Sequence, residues 1–288
     1  MSNETKTMLS RRAFIGGAGS ALASGSLVAA LGAPATVLAQ TAPPPGAWPI
    51  PILNPDAVRD AGYWGYWAND PYKATNYGCS YGVATALLAA IKAGLGPGSP
   101  WDLLPLEMFK WGKTGCVDSG TLCGALAGAL PIFTLASPAS VTEMGADLLR
   151  WYQETAHPSL EMDYLDPKRK YPNQAQSISA SPLCHISVTE WCKVSGKLSS
   201  STDRKTRCGK LTGDVGKMAA VILNRLVPGQ KYVPIYPVQP ELYADCVHCH
   251  IDAPPPPTPS DVRLNNSHGI SNCKTCHPDA APVLMSKP

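Results

Sequence analysis

The chain has 288 residues, and 24 Lys and Arg against 21 Asp and Glu give it a formal net charge of +3 at pH 7. Its basic residues are dispersed, which excludes a nucleic-acid footprint; Lys168-Arg169-Lys170 is the only basic run and reads as a solvated loop or docking rim. The length suffices for one good core plus a smaller appendage, and period-2 alternation is scarce, so the fold class expected is mainly α.

Residues 1–39 read as a targeting segment. Ser10-Arg11-Arg12-Ala13-Phe14-Ile15 has the form of a twin-arginine export signal, followed by an uncharged stretch from Gly16 to Leu38. That stretch is nearly long enough to anchor in a bilayer, but its many Gly, Ala and Ser residues make it only weakly hydrophobic. Val37-Leu38-Ala39 offers small residues to a signal peptidase, and the proline-rich Thr41–Pro45 follows as a release segment. Cleavage before Gln40 predicts a periplasmic mature protein that is close to neutral and has no membrane span.

Residues 40–74, rich in Pro, Trp and Tyr, read as an extended arm packed on something else. Residues 75–233 hold the helical patterns. Val83, Leu87, Leu88 and Ile91 recur at helical spacing in Thr75–Ala93, and Val215, Met218, Ala219, Ile222, Leu223 and Leu226 form an unbroken stripe in Gly213–Leu226. Thr121–Leu130 is Gly/Ala-rich, which suits a helix packed closely on a neighbour. Ser140-Val-Thr-Glu143 and Ser187-Val-Thr-Glu190 each have the form of a capping box opening a helix.

Residues 234–288 differ in kind. Cys246-Val-His-Cys249-His250 and Cys273-Lys-Thr-Cys276-His277 are two Cys-x-x-Cys-His motifs. In such a motif the cysteines add across the two vinyl groups of haem and the histidine lies under the iron as proximal ligand. Cys-x-x-Cys pairs also serve disulfides and zinc sites, but the export signal and the repeated histidine favour two covalent haems c. Pro254–Pro257 and Pro259 form a stiff spacer between the motifs. The segment has too few apolar side chains to fold alone, so the porphyrins are expected to supply most of its core. Four propionates would make the holoprotein modestly acidic.

Each iron also needs a sixth ligand or an open site. Met285 is the only methionine in this segment and lies near the terminus. His268, in Asn-Ser-His-Gly, and His185, in Leu-Cys-His-Ile, are the better candidates. His248 is held between two thioether cysteines and directed away from its own iron. His157 precedes a proline at a helix end and reads as a surface residue. Bis-histidine ligation would close both irons and favour electron transfer over small-molecule chemistry, so the protein reads as an electron carrier rather than an enzyme.

Six cysteines remain: Cys79, Cys116, Cys123, Cys184, Cys192 and Cys208. In an exported protein they could form three disulfides. Against that, Tyr-Gly-Cys79-Ser and Gly115-Cys116-Val-Asp-Ser-Gly120 are tight, Gly-rich settings whose N–H groups could serve a sulfur-ligated cofactor. The twin-arginine route also exports proteins already folded around a cofactor, whereas haem c is attached after export. From these residues alone, disulfides and an iron–sulfur cluster both stand open.

Gly115-Cys116-Val117-Asp118-Ser119-Gly120, with Cys79 upstream and Cys192 and Cys208 downstream, resembles the family named for its Cys…Gly-Cys-Ala-x-x-Gly…Cys…Cys pattern, with Val117 where the pattern has Ala. Leu122-Cys123-Gly124-Ala125-Leu126 also looks like that family's helix. Joined to two carboxy-terminal haem motifs, the arrangement resembles the split-Soret cytochromes c over most of residues 75–288. The resemblance implies a homodimer with two bis-histidine haems per subunit, redox protein partners, and an iron–sulfur cluster of the two-iron type. It places the cluster ligands at Cys79, Cys116, Cys192 and Cys208, with Cys123 and Cys184 in reserve. A multihaem oxidoreductase acting on a small substrate or metal at a haem or the cluster is the alternative.

Overall fold

The computed structural model describes residues 46–68, 77–165 and 172–236. The export signal, the Lys168–Lys170 run, both haem motifs, His268 and Met285 lie outside the described residues. Those that are described form six α-helices: α1 Pro55–Tyr66, α2 Cys79–Leu95, α3 Gly124–Ala136, α4 Val141–Glu154, α5 Cys184–Ser195 and α6 Thr202–Asn224. Among the described residues the only β-type pairings are isolated bridges, Leu122 with Leu183 and His157 with Ser177. The mainly α expectation therefore holds. No helix among the described residues is long and apolar enough to cross a membrane.

The core lies where α1, α2, α3 and α6 pack together. Val83, Leu87 and Ile91 of α2, Leu126, Ile132 and Phe133 of α3, and Leu211, Val215 and Ile222 of α6 are all buried there. Both long apolar stripes read from the sequence thus face the core. Helix α2 crosses α1 so closely that a Cβ on Gly82 would lie 2.8 Å from the Tyr66 amide nitrogen. Only glycine fits at that crossing, and it draws Tyr66 and Trp67 over the first turn of α2.

The 40–74 segment departs from the extended-arm expectation. Residues 46–54 are non-helical, but Pro55–Tyr66 is helix. The Asn54 side chain caps it by accepting from the Asp56 and Ala57 amides at 3.1 and 3.2 Å, and Pro55 occupies the first turn, where no N–H is needed. The non-helical part is tied down by paired bonds between Leu53 and the Asn224 amide, 2.8 and 2.9 Å, and by Trp101 Nε1 donating to the Pro49 carbonyl at 2.8 Å. Aromatic density signalled burial in this segment; the Asn-Pro start signal was the cue to its helix.

The two capping boxes fare differently. Helix α4 does begin after Ser140, yet the Ser140 hydroxyl makes no cap bond and instead accepts from the Tyr232 amide at 3.3 Å. Ser187 lies inside α5, which already starts at Cys184, so that box opens nothing. Its hydroxyl serves a buried network described below. His157 is also not a surface residue: it is 2% exposed, packed against Trp151 and Tyr152, with Nδ1 3.6 Å from Asp214. The loop after α4 turns inward at this point, and Asp214 fixes it by accepting from the Ser159 amide at 2.8 Å and its hydroxyl at 2.5 Å.

Candidate metal centre

Three of the six helices begin with a cysteine. Cys79 is the first residue of α2, Cys123 the N-cap of α3 and Cys184 the first residue of α5. The fourth, Cys208, lies in the second turn of α6. These four thiols are buried and free, and they form one mutually interacting group. Cys79, Cys184 and Cys208 line a cavity of about 680 Å³ that also takes in Tyr66, Gly120, His185 and Arg204. Among the described residues no three His, Cys, Asp or Glu side chains converge on one point that a single ion could fill. The thiols line a cavity instead, an arrangement that suits a group of several atoms.

The electrostatics of the cavity favour negative charge. A helix N-terminus presents unsatisfied N–H groups and a partial positive charge, and here three of them meet. Arg204 and Arg207 add two guanidinium groups, one turn before Cys208 and directly beside it in sequence. Cys208 is held well below the ordinary thiol value, first by the hydrogen bond from Cys79 and then by the charges of Arg207 and Arg204. Cys79 is pushed up, because it keeps the proton of that bond and is buried. Burial also raises Cys123 and Cys184, with a Tyr152 hydrogen bond opposing the rise at Cys123. A thiolate–thiol pair beside two arginines is chemically ready to surrender its remaining proton to a metal. The residues present fit a thiolate-ligated, anionic metal group.

The wall nearest α5 has an unusual backbone. Thr114, Gly115, Cys116, Val117 and Asp118 have φ of 50, 69, 64, 47 and 62°, five consecutive residues in the left-handed region. Such a run costs of order 1–2 kcal/mol for each non-glycine residue. It is held by the Asp118, Gly120 and Thr121 amides donating to the Lys113, Thr114 and Gly115 carbonyls at 3.2, 3.1 and 3.0 Å. The strand of chain after it is laced to the start of α5: the Cys184 amide donates to Thr121 at 2.6 Å, the His185 amide to Gly120 at 3.1 Å, and the Cys123 amide to Pro182 at 2.9 Å. These bonds fix the starts of α3 and α5 side by side, and with them Cys123 and Cys184.

Of the cysteines expected from the family pattern, Cys79 and Cys208 are brought together. Cys116 and Cys192, like Cys123, do not line the cavity. The half-buried Cys116 thiol, within the left-handed turn, sits 3.9 Å from the Leu122 carbonyl, and Cys192 lies two turns along α5 from Cys184. Of the two held in reserve, Cys184 lines the cavity, and Cys123 does not line it but interacts with its thiols. Cys123-Gly-Ala125-Leu-Ala-Gly128 contains an Ala-x-x-Gly run of its own, which is the sequence signal for Cys123. The arginines escaped notice, although Arg204 and Arg207 extend backwards, at three- and four-residue steps, the buried stripe through Cys208, Leu211 and Val215.

His185 is exposed at the cavity edge. Its Nδ1 lies 3.0 Å from the Gly120 carbonyl, which can only accept, so Nδ1 is the donor and the neutral ring would present its lone pair at Nε2. That tautomer suits a metal ligand.

Residues 77–222 match the C_GCAxxG_C_C family, which is described as a redox-active protein family. The split-Soret cytochrome c of Desulfovibrio desulfuricans is 30% identical over 284 residues, covering 95% of this chain and 96% of the relative. The solved structure of the split-Soret cytochrome c from Desulfovibrio desulfuricans ATCC 27774, reported for its novel iron centre, superposes with a TM-score of 0.67 at 29% identity. That match covers 84% of this chain and 93% of the solved one.

Proposed function

The chain belongs to the split-Soret cytochrome c family, whose members are redox proteins, and from that membership we propose that it is a periplasmic dihaem c-type cytochrome acting in electron transfer, with an iron–sulfur cluster in its helical domain. The observation that carries the cluster is one interacting group of four free thiols from four helices, three of them, Cys79, Cys184 and Cys208, lining one cavity together with Arg204. Cys79, Cys123, Cys184 and Cys208 would hold it, and a two-iron form suits four thiolates. Such a cluster supplies one-electron chemistry with little change of shape. The protein's own part is to exclude water with Tyr66, Tyr152 and the α2–α3 packing, to present three helix N-termini, and to keep Cys208 deprotonated.

Cys246 and Cys249, and Cys273 and Cys276, would bind the two haems, with His250 and His277 as proximal ligands. His268 and His185 are the proposed sixth ligands. The exposed ring and free Nε2 of His185 support its part, and would set one haem next to the cavity through the Cys184–His185 step. Export by the twin-arginine route, dimerisation through the haem-bearing segments and docking of other redox proteins complete the reading. A second reading, reduction of a small substrate or metal at a haem or the cluster, is favoured by Lys113, Lys205 and His185 in the cavity lining, which suit an anion.

Spectroscopy of the exported protein tests both. The expected result is two haems c per chain by pyridine haemochrome assay, low-spin ferric spectra, iron beyond the haem iron, and acid-labile sulfide. Cys123→Ser and Cys184→Ser should lose the sulfide while keeping both haems, and Cys116→Ser should keep it. Sulfide lost in Cys116→Ser but retained in Cys123→Ser would return the ligand set to the expectation from sequence. Carbon monoxide binding to the reduced haems would favour the second reading.

A further inference from the structure

Arg207 is 1% exposed, yet among the described residues no carboxylate pairs with it. Its Nη2 donates to the Ser187 carbonyl at 3.3 Å and the Ser187 hydroxyl at 2.8 Å, and its Nε has no partner. The domain's other buried cations are compensated: Arg59 pairs with Asp56, Asp60 and Glu161, and Lys210 with Asp163. An unpaired buried guanidinium is costly, so a fold that keeps one must offer it negative charge from another source.

The neighbours of Arg207 identify that source. Cys208 follows it in α6, and the Ser187 hydroxyl that accepts from Arg207 also accepts from the Tyr152 hydroxyl at 2.8 Å. Tyr152 in turn hydrogen-bonds Cys123. Arg207, Ser187 and Tyr152 thus form one buried network linking Cys208 of α6 to Cys123 at the start of α3. We infer that Arg207 is the internal counter-ion of the thiolate-ligated centre and sets its reduction potential, favouring the reduced, more negative state. This rests on the cluster reading above. Arg204, half-buried with its Nε on the Ser199 carbonyl at 2.6 Å, stands nearer solvent and contributes less. Because Arg207 is sealed from water, salt should not screen its effect.

The test is an EPR-monitored redox titration of the exported, cluster-loaded protein, with dithionite supplying the electron through mediators. Arg207→Gln should keep its iron and sulfide but lower the midpoint potential, so that at a fixed poise the reduced-to-oxidised ratio falls at least about tenfold, 59 mV for a one-electron step. The shift should be the same at low and high salt, and Arg207→Lys should restore most of it. A cluster retained in Arg207→Gln at an unchanged potential would overturn the inference and leave the cluster standing. Parent protein without acid-labile sulfide would instead overturn the cluster reading. If Arg207→Gln loses its cluster, Arg207→Lys decides: retention near the parent potential supports the counter-ion, and loss there too refutes it, since positive charge was kept.

Discussion

Gly124 shows how tightly a single position controls the thiol cavity. It directly follows Cys123, and a Cβ built there would lie 2.0 Å from the Gly112 carbonyl oxygen and 3.3 Å from the Cys79 side chain. A backbone oxygen cannot swing aside, so Gly124→Ala must push α3 off the 106–112 turn and move Cys123 with it. Overpacking of this kind costs about 1–3 kcal/mol. We expect a fall in melting temperature together with loss of acid-labile sulfide, both absent in a control such as Gly216→Ala, where the added Cβ would meet only ordinary contacts with Val58 at 3.4 Å or more. Surface charge acts more gently. Asp56 is held below its ordinary value of 3.8, first by a hydrogen bond from Lys217 and also by the charges of Lys217 and Arg59. A carboxylate lowered on folding contributes stability fully above its unfolded pKa and loses it as pH falls through its folded one. Stability should therefore be level in this respect above pH 3.8 and decline below it. Lys217→Met should flatten that decline in acid melting curves.

At the scale of elements, α4 serves mainly as a clamp. Asp147 is fully buried, and its carboxylate accepts from the Tyr232 hydroxyl at 2.5 Å and from the Ile235 and Tyr236 amides at 2.7 and 2.6 Å. Arg150 Nε donates to the Tyr236 carbonyl at 2.8 Å, and Ser140 receives the Tyr232 amide. One helix thereby grips five residues of chain after α6. Asp147→Ala would leave three donors without an acceptor, at about 1–3 kcal/mol each. The expected outcome is a loss of at least about 3 kcal/mol in chemical denaturation, with hydrogen exchange at Ile235 and Tyr236 rising sharply. Slow exchange persisting at both amides would show that the strap is held by packing instead. Nothing local in the sequence announces this clamp. Helical spacing marks Met144, Leu148 and Tyr152 as buried, but Asp147 beside them reads as a surface charge until the chain 85 to 89 residues later is seen to return to it.

For the whole molecule, what was legible followed from chemistry confined to short stretches of chain. The stripe of α6 and the apolar spacing of α2 specify buried faces by themselves, so both helices and the mainly α class could be read. Cys79 and Cys208 could be placed at one site from the family pattern. Cys123 and Cys184, which stood in reserve, are set side by side through a left-handed turn no propensity rule anticipates, since four of its five residues are not glycine. Arg207 was invisible for the same reason as Asp147: its meaning lies in partners on other helices. His157 misled because a residue before proline is read as a chain reversal at the surface, whereas here the reversal passes inside.

The grip of α4 on Tyr232–Tyr236 also sets a leash. Beyond Tyr236 the chain leaves from a fixed point, and Cys246, the first cysteine of the first Cys-x-x-Cys-His motif, comes ten positions later. A fully extended chain covers about 3.3–3.6 Å per residue, so Cys246 stays within roughly 35 Å of that point whatever path the intervening residues take. A body confined to so small a sphere meets its own domain at an effective concentration in the millimolar range. On the proposed reading, a haem carried by that motif would need few contacts of its own to dock onto the helical domain.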